Sequence, residues 1–153
     1  MTLRSSRPGF TLIELLLVIG IIAILASIVI VAINPVTKIG DARDVTRKED
    51  VTKILNAVYA YTLDNNGDLP KGIPTDSPKV ICQSDVTPDE CTAKLNGISL
   101  GMLTGAYITT IPKDPLITAT GTGTRYTIIE DSSGRITVAA PGAERTQDIH
   151  ATR

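Results

Sequence analysis

The chain has 153 residues and a formal charge of -1, so it holds one modest domain plus an appendage. That near-neutral balance lacks the basic face a nucleic-acid footprint needs, and 3% aromatic residues with no Trp give no base-stacking platform. No phosphate-binding loop, His-rich cluster or acidic dyad is visible, so the order of the residues carries the argument.

The first nine residues, MTLRSSRPG, hold Arg4 and Arg7 and no acid. From Leu15 to Ile33 nothing is charged and Ser27 is the only hydroxyl, with Gly20 a small residue suited to close helix approach. As a helix this run spans roughly 28 Å, close to the hydrocarbon thickness of a bilayer. It is apolar on every side, unlike the one-faced helix of a soluble domain. The flanking arginines place the N-terminus in the cytoplasm and everything after Ile33 outside. A secretory signal peptide fits poorly, because its apolar core of ~7–15 residues ends at a small-residue cleavage site. Here the run continues to Asn34–Pro35 without one. A plain single-pass anchor accounts for the length but not for Glu14, since a charged acid at the centre of a bilayer helix costs on the order of 2.5–3.5 kcal/mol.

The stretch RPGFTLIELLLVIGIIAIL resembles the class III signal of type IV pilins and pseudopilins: a basic leader, Gly, Phe-Thr-Leu-Ile-Glu, then an apolar helix. The match runs without a gap from Arg7 to Ala32. The resemblance implies cleavage after Gly9 by a membrane peptidase that also methylates the new amine on Phe10. Gly9 suits such a cut because an extended backbone without a side chain enters a tight protease site, and Pro8 keeps Arg7 out of a helix. Phe10 and Glu14 are four residues apart and share a helix face. The resemblance points to Glu14 pairing with the Phe10 amine of a neighbouring subunit; the alternative is a Glu14 that snorkels to the interface. The implied fold class is α+β, a long N-terminal helix whose first half spans the membrane, then a small antiparallel β head.

Further along, Asn34–Pro35 should kink or unwind the helix. Apolar residues then recur at Val51, Ile54, Leu55, Val58 and Tyr61 or Thr62, a helical stripe. Asp41, Arg43, Asp44, Arg47, Lys48, Glu49 and Asp50 read as the charged outer faces of that helix. Asn65, Asn66 and Gly67 should stop it, with Gly67 as a left-handed cap. Pro70, Pro74, Pro78 and Pro88 then rule out a long helix, so 69–94 reads as a loop-rich connection. Cys82 and Cys91 lie in it, and an even pair outside the cell reads as a disulfide rather than as half of a zinc site. A short helix or turn is expected in 95–107. RYTIIED and RITVAA read as a β-hairpin around Ser132–Gly134, with Tyr126, Ile128, Ile136, Val138 and Ala140 facing inward. The segment AYITTIPKDPLIT resembles one that precedes the last strands in the pseudopilin branch, whose calcium loop does not match residue by residue, so no metal is assigned. The small, polar stretch 141–153 reads as a flexible tail.

One catalytic pattern occurs, GISLG around Ser99, but a nucleophile elbow needs a parallel sheet, an acid and a His, and the one His is His150 in the tail. The expected organisation is a leader 1–9, a transmembrane and polymerisation helix 10–34, an amphipathic helix 35–66, a head 67–140 and a tail 141–153. The expected function is that of a non-enzymatic structural subunit of a type IV pilus or type II secretion pseudopilus, first a single-pass cytoplasmic-membrane protein and then part of an external filament. Its partners are further copies of itself, the prepilin peptidase and methyltransferase, an inner-membrane assembly platform and membrane lipid, with no cofactor. The competing reading is a membrane-anchored binding module or enzyme that uses the helix only as a tether.

Overall fold

The computed structural model describes residues 9–117, 121–145 and 148–153. The expected leader, apart from Gly9, lies outside the described residues. The chain divides into two compact units, one ending at Lys38 and the other Ile39–Arg153.

In the first unit, α1 runs Leu12–Ile33. Thr11 sits in extended backbone as its N-cap and accepts the Glu14 N–H at 3.3 Å, while the Glu14 carboxylate reaches back to the Thr11 N–H at 3.4 Å. This reciprocal capping satisfies two donors that a helix start leaves open. Ser27 donates its hydroxyl to the Ile24 carbonyl at 2.7 Å, so the one polar side chain of the apolar run is satisfied within the helix. Among the described residues α1 is the one helix long and apolar enough to cross a membrane, and none of its residues is buried by protein. It ends at Asn34, left-handed at φ 46°, and Pro35 then opens the next helix, where its missing N–H costs nothing.

That helix, α2, runs Pro35–Asp64 and supplies the core of the head. Val51, Ile54, Leu55, Ala57 and Val58 are buried, the stripe the periodicity indicates. Its C-terminus is closed by Asn66 at φ 55° and Gly67 at φ 96°, with the Gly67 N–H donated to the Thr62 carbonyl at 2.9 Å. Asn66, not Gly67, therefore occupies the first left-handed position, because its short side chain tolerates that region.

The segment 69–94 is more regular than a loop-rich connection. It contains the strand β1, Lys79–Cys82, and the helix α3, Pro88–Leu95. Pro88 starts α3 instead of breaking a helix, since Thr87 caps it and accepts the Glu90 N–H at 3.3 Å. A single 3₁₀ turn at Gly101–Leu103 follows, then β2 (Gly123–Glu130), β3 (Ile136–Ala139) and β4 (His150–Thr152). The four strands form one sheet in the order β1–β2–β3–β4, antiparallel throughout. Ile128 pairs with Lys79 on one side and Val138 on the other. Tyr126, Ile128, Ile136, Val138 and Ala140 all face the core, joined by Ile81, Leu100, Leu103, Ile111 and Ile149 against the α2 stripe.

The described residues of the expected tail, 141–145 and 148–153, are tied to the head. Ala139 pairs with His150 and Thr137 with Thr152, while Ile149 is buried. Three residues with one buried neighbour carry too weak a pattern to read as a strand; pairing with β3 makes it one.

Candidate functional site

The N-terminal segment presents its chemistry openly. Gly9 is exposed, and beyond its chain neighbours no atom lies within 4 Å of the position a Cβ would take. Phe10 is 80% exposed, directly ahead of the Thr11 cap. The Glu14 carboxylate uses Oε2 for both contacts with Thr11, to the N–H and to the hydroxyl at 3.3 Å. A cut after Gly9 would set the cationic amine of Phe10 at the positive end of the helix dipole, where cations are unfavourable and the Glu14 carboxylate offsets them.

In the head, Cys82 on β1 and Cys91 on α3 form a disulfide with Cα atoms 5.9 Å apart. Both sulfurs' residues are buried, so the bond joins strand to helix inside the core and does more than close a loop. The floor beside it is bonded in both directions: Cys82 N–H donates to the Ile98 carbonyl and Ile98 N–H to Val80, each at 2.9 Å.

Charge inside the head is the feature that composition hides. Arg47 is 0% exposed. Its Nε and Nη2 grip the Asp114 carboxylate at 2.7 and 3.2 Å, and Nη1 reaches Asp44 at 2.7 Å and Glu144 at 3.0 Å. Asp44 in turn accepts the backbone N–H groups of Glu144 at 2.9 Å and Arg145 at 2.7 Å. Arg43 bridges Glu144 at 3.2 Å, and Arg125 stands 3.6 Å from Asp114. Three guanidinium groups thus face three carboxylates, which is how a chain buries charge without leaving any unpaired. Burial alone would raise the Asp114 carboxyl, but the Arg47 fork and the Leu116 N–H hold it below the usual range. The bond to Asp114 is the largest of the contacts that raise Arg47 further above its ordinary value. A step along α2, Asp50 accepts the Tyr126 hydroxyl at 2.9 Å, and burial followed by that carboxylate pushes the phenol up. Asp44, Arg47 and Asp50 are therefore core residues and not an outer charged face. The same network ties the IPKDP segment and residues 144–145 to α2.

The remaining candidates separate. Ser99 accepts the Gly101 N–H at 3.4 Å on the wall of a groove of about 650 Å³, while His150 on β4 pairs with Asp148 at 3.0 Å. Ser99 has no histidine partner among the described residues. Nor do those residues contain a group of three His, Cys, Asp or Glu arranged to hold a metal.

Residues 4–30 match the family model of the prokaryotic N-terminal methylation motif. No curated protein and no solved structure matches the chain.

Proposed function

We propose that this chain, which carries at its N-terminus the class III signal of type IV pilins and pseudopilins, is a non-enzymatic filament subunit that polymerises through its N-terminal helix. The observation that carries the reading is α1: an apolar helix with no protein-buried residue, opened by the matched motif and bearing one carboxylate, Glu14. A tether does not need Gly9 directly ahead of Phe10, and the Thr11 cap engages only one oxygen of the Glu14 carboxylate. In the precursor the helix anchors the chain in the cytoplasmic membrane, with Arg4 and Arg7 inside and the head outside. The disulfide supports an oxidising compartment for the head.

Cleavage after Gly9 frees the Phe10 amine, which the same enzyme methylates. In the assembled bundle, Glu14 pairs with the amine of the next subunit and sets its register. The Oε1 oxygen, which has no partner among the described residues, accepts that bond. Further copies, the prepilin peptidase, an inner-membrane platform and lipid are the partners, and the product is a type IV pilus or type II secretion pseudopilus.

Intact mass of the protein purified from its own host tests the reading, together with recovery of filaments. The expected product begins at Phe10 and carries one added methyl group. A mature chain that still begins at Met1, or one cut after Ile33, overturns it.

A further inference from the structure

Two steps in the head place an asparagine in the left-handed region directly before a glycine: Asn66 at φ 55° before Gly67, and Asn96 at φ 48° before Gly97. At the second step sterics enforce the glycine. A Cβ on residue 97 would lie 2.7 Å from the Val80 carbonyl oxygen, 3.0 Å from Cys82 Sγ and 3.1 Å from Cys91 Sγ. Among residues with a side chain, Asn is one of the few that visits the left-handed region readily, so the fold itself selects Asn–Gly here.

That pair is chemically labile. The Gly97 nitrogen can attack Cγ of Asn96: the new N–C bond closes a succinimide, the bond to the side-chain nitrogen breaks, and ammonia leaves with the proton from the Gly97 N–H. Water then opens the ring at either carbonyl and leaves Asp or isoaspartate. A glycine nitrogen has no neighbouring Cβ to hinder closure. The reaction does require that N–H to be released and deprotonated.

The structure withholds it. Gly97 is buried, and its N–H is donated to the Cys91 carbonyl at 3.3 Å, while the Asn96 N–H holds Thr92 at 3.0 Å. The acceptor Cys91 is fixed by its bond to Cys82. Asn66–Gly67 differs: both residues are exposed, and the Gly67 N–H is held to Thr62 at the open end of α2 with no cross-link nearby.

We propose that Asn96–Gly97 is a redox-gated deamidation site, closed to succinimide formation while the Cys82–Cys91 disulfide pins the acceptor of the Gly97 amide and opened by a thiol reductant. The disulfide then protects covalent chemistry as well as shape.

Full-length protein in detergent, incubated at near-neutral pH and mapped by peptide mass, tests this with Asn66 as the internal reference. In the oxidised folded protein Asn96 should deamidate at least about tenfold more slowly than in urea. Reduction with dithiothreitol, or the C82S/C91S variant, should raise the Asn96 rate about tenfold while Asn66 changes less than about twofold. Deamidation of Asn96 in the oxidised protein at the urea rate overturns the proposal. So does a rate unchanged by both reduction and C82S/C91S, or an equal acceleration at both asparagines, which would make the effect global unfolding.

Discussion

Arg47→Met removes the guanidinium and keeps much of the side-chain volume. It leaves Asp114 and Asp44 with side-chain exposures of 0% and 4% and no central cation. Removing one partner of a buried ion pair typically costs ~3–5 kcal/mol. Some compensation stays: Arg125 at 3.6 Å, the Leu116 N–H on Asp114 at 2.8 Å, and the two backbone donors on Asp44. The lower end, ~3 kcal/mol, is therefore expected, which for a head of this size lowers Tm by about 10–15 °C. The pH dependence carries the sign. In the wild type Asp114 titrates below its unfolded value of ~3.9, so its contribution is present above that pH and lost as pH falls through the lowered folded value. Without Arg47 burial dominates and the folded carboxyl rises above the unfolded value, so the variant gains relative to wild type in acid. The gap between the two should narrow as pH falls from neutral toward ~4. Thermal unfolding of the full chain in detergent, followed by circular dichroism across that range, measures both effects. A variant within about 0.5 kcal/mol of wild type at neutral pH, or a gap that does not close in acid, refutes the reasoning.

On the proposed pairing of Glu14 with a neighbour's Phe10 amine, Glu14→Ala and Glu14→Gln should each collapse the ratio of filament to membrane-pool subunit, since an amine left unpaired in a low-dielectric bundle would forfeit ~3–5 kcal/mol, while melting of the head stays unchanged. Wild-type ratios in both strains would show that Glu14 does not pair. Tyr126→Phe strips Asp50 of its 2.9 Å donor and leaves Lys53 at 3.6 Å, a loss of ~1–3 kcal/mol in denaturant unfolding. Gly97→Ala forces a methyl to within 2.7 Å of a backbone oxygen and should destabilise by ~1–3 kcal/mol; a variant as stable as the wild type contradicts that crowding.

What the sequence made legible was whatever repeats locally. The α2 stripe at Val51, Ile54, Leu55 and Val58 and the alternation of Tyr126 with Ile128 are short-period signals, and each lands in the core. β1 escaped because KVIC is four residues set between prolines and takes its identity from pairing with Thr127 and Ile128. β4 escaped for the same reason, one strand further on. The charged cluster was concealed differently. Composition reads Asp44, Arg47 and Asp50 as solvated, and their spacing of three places them on one helix face with the apolar stripe, which was the available signal. Their burial depends on Asp114 and Glu144, 67 and 97 positions beyond Arg47, and no local pattern announces partners at that range. The N-terminal signal was the most readable part because its constraint is a linear motif.

The bonds from Asp44 to the main chain of residues 144 and 145 span 100 and 101 positions, and the sheet is finished by its last three-residue strand, His150–Thr152. Such a topology defers closure of the head until residues 144–152 have been made. Until then, the Arg47 site lacks Glu144, the backbone donors to Asp44 are missing and β3 lacks its β4 partner. High contact order makes that final step slow relative to helix formation. The apolar helix α1 is made well before these residues, so the order of the genetic text doubles as a delay on completion of the head.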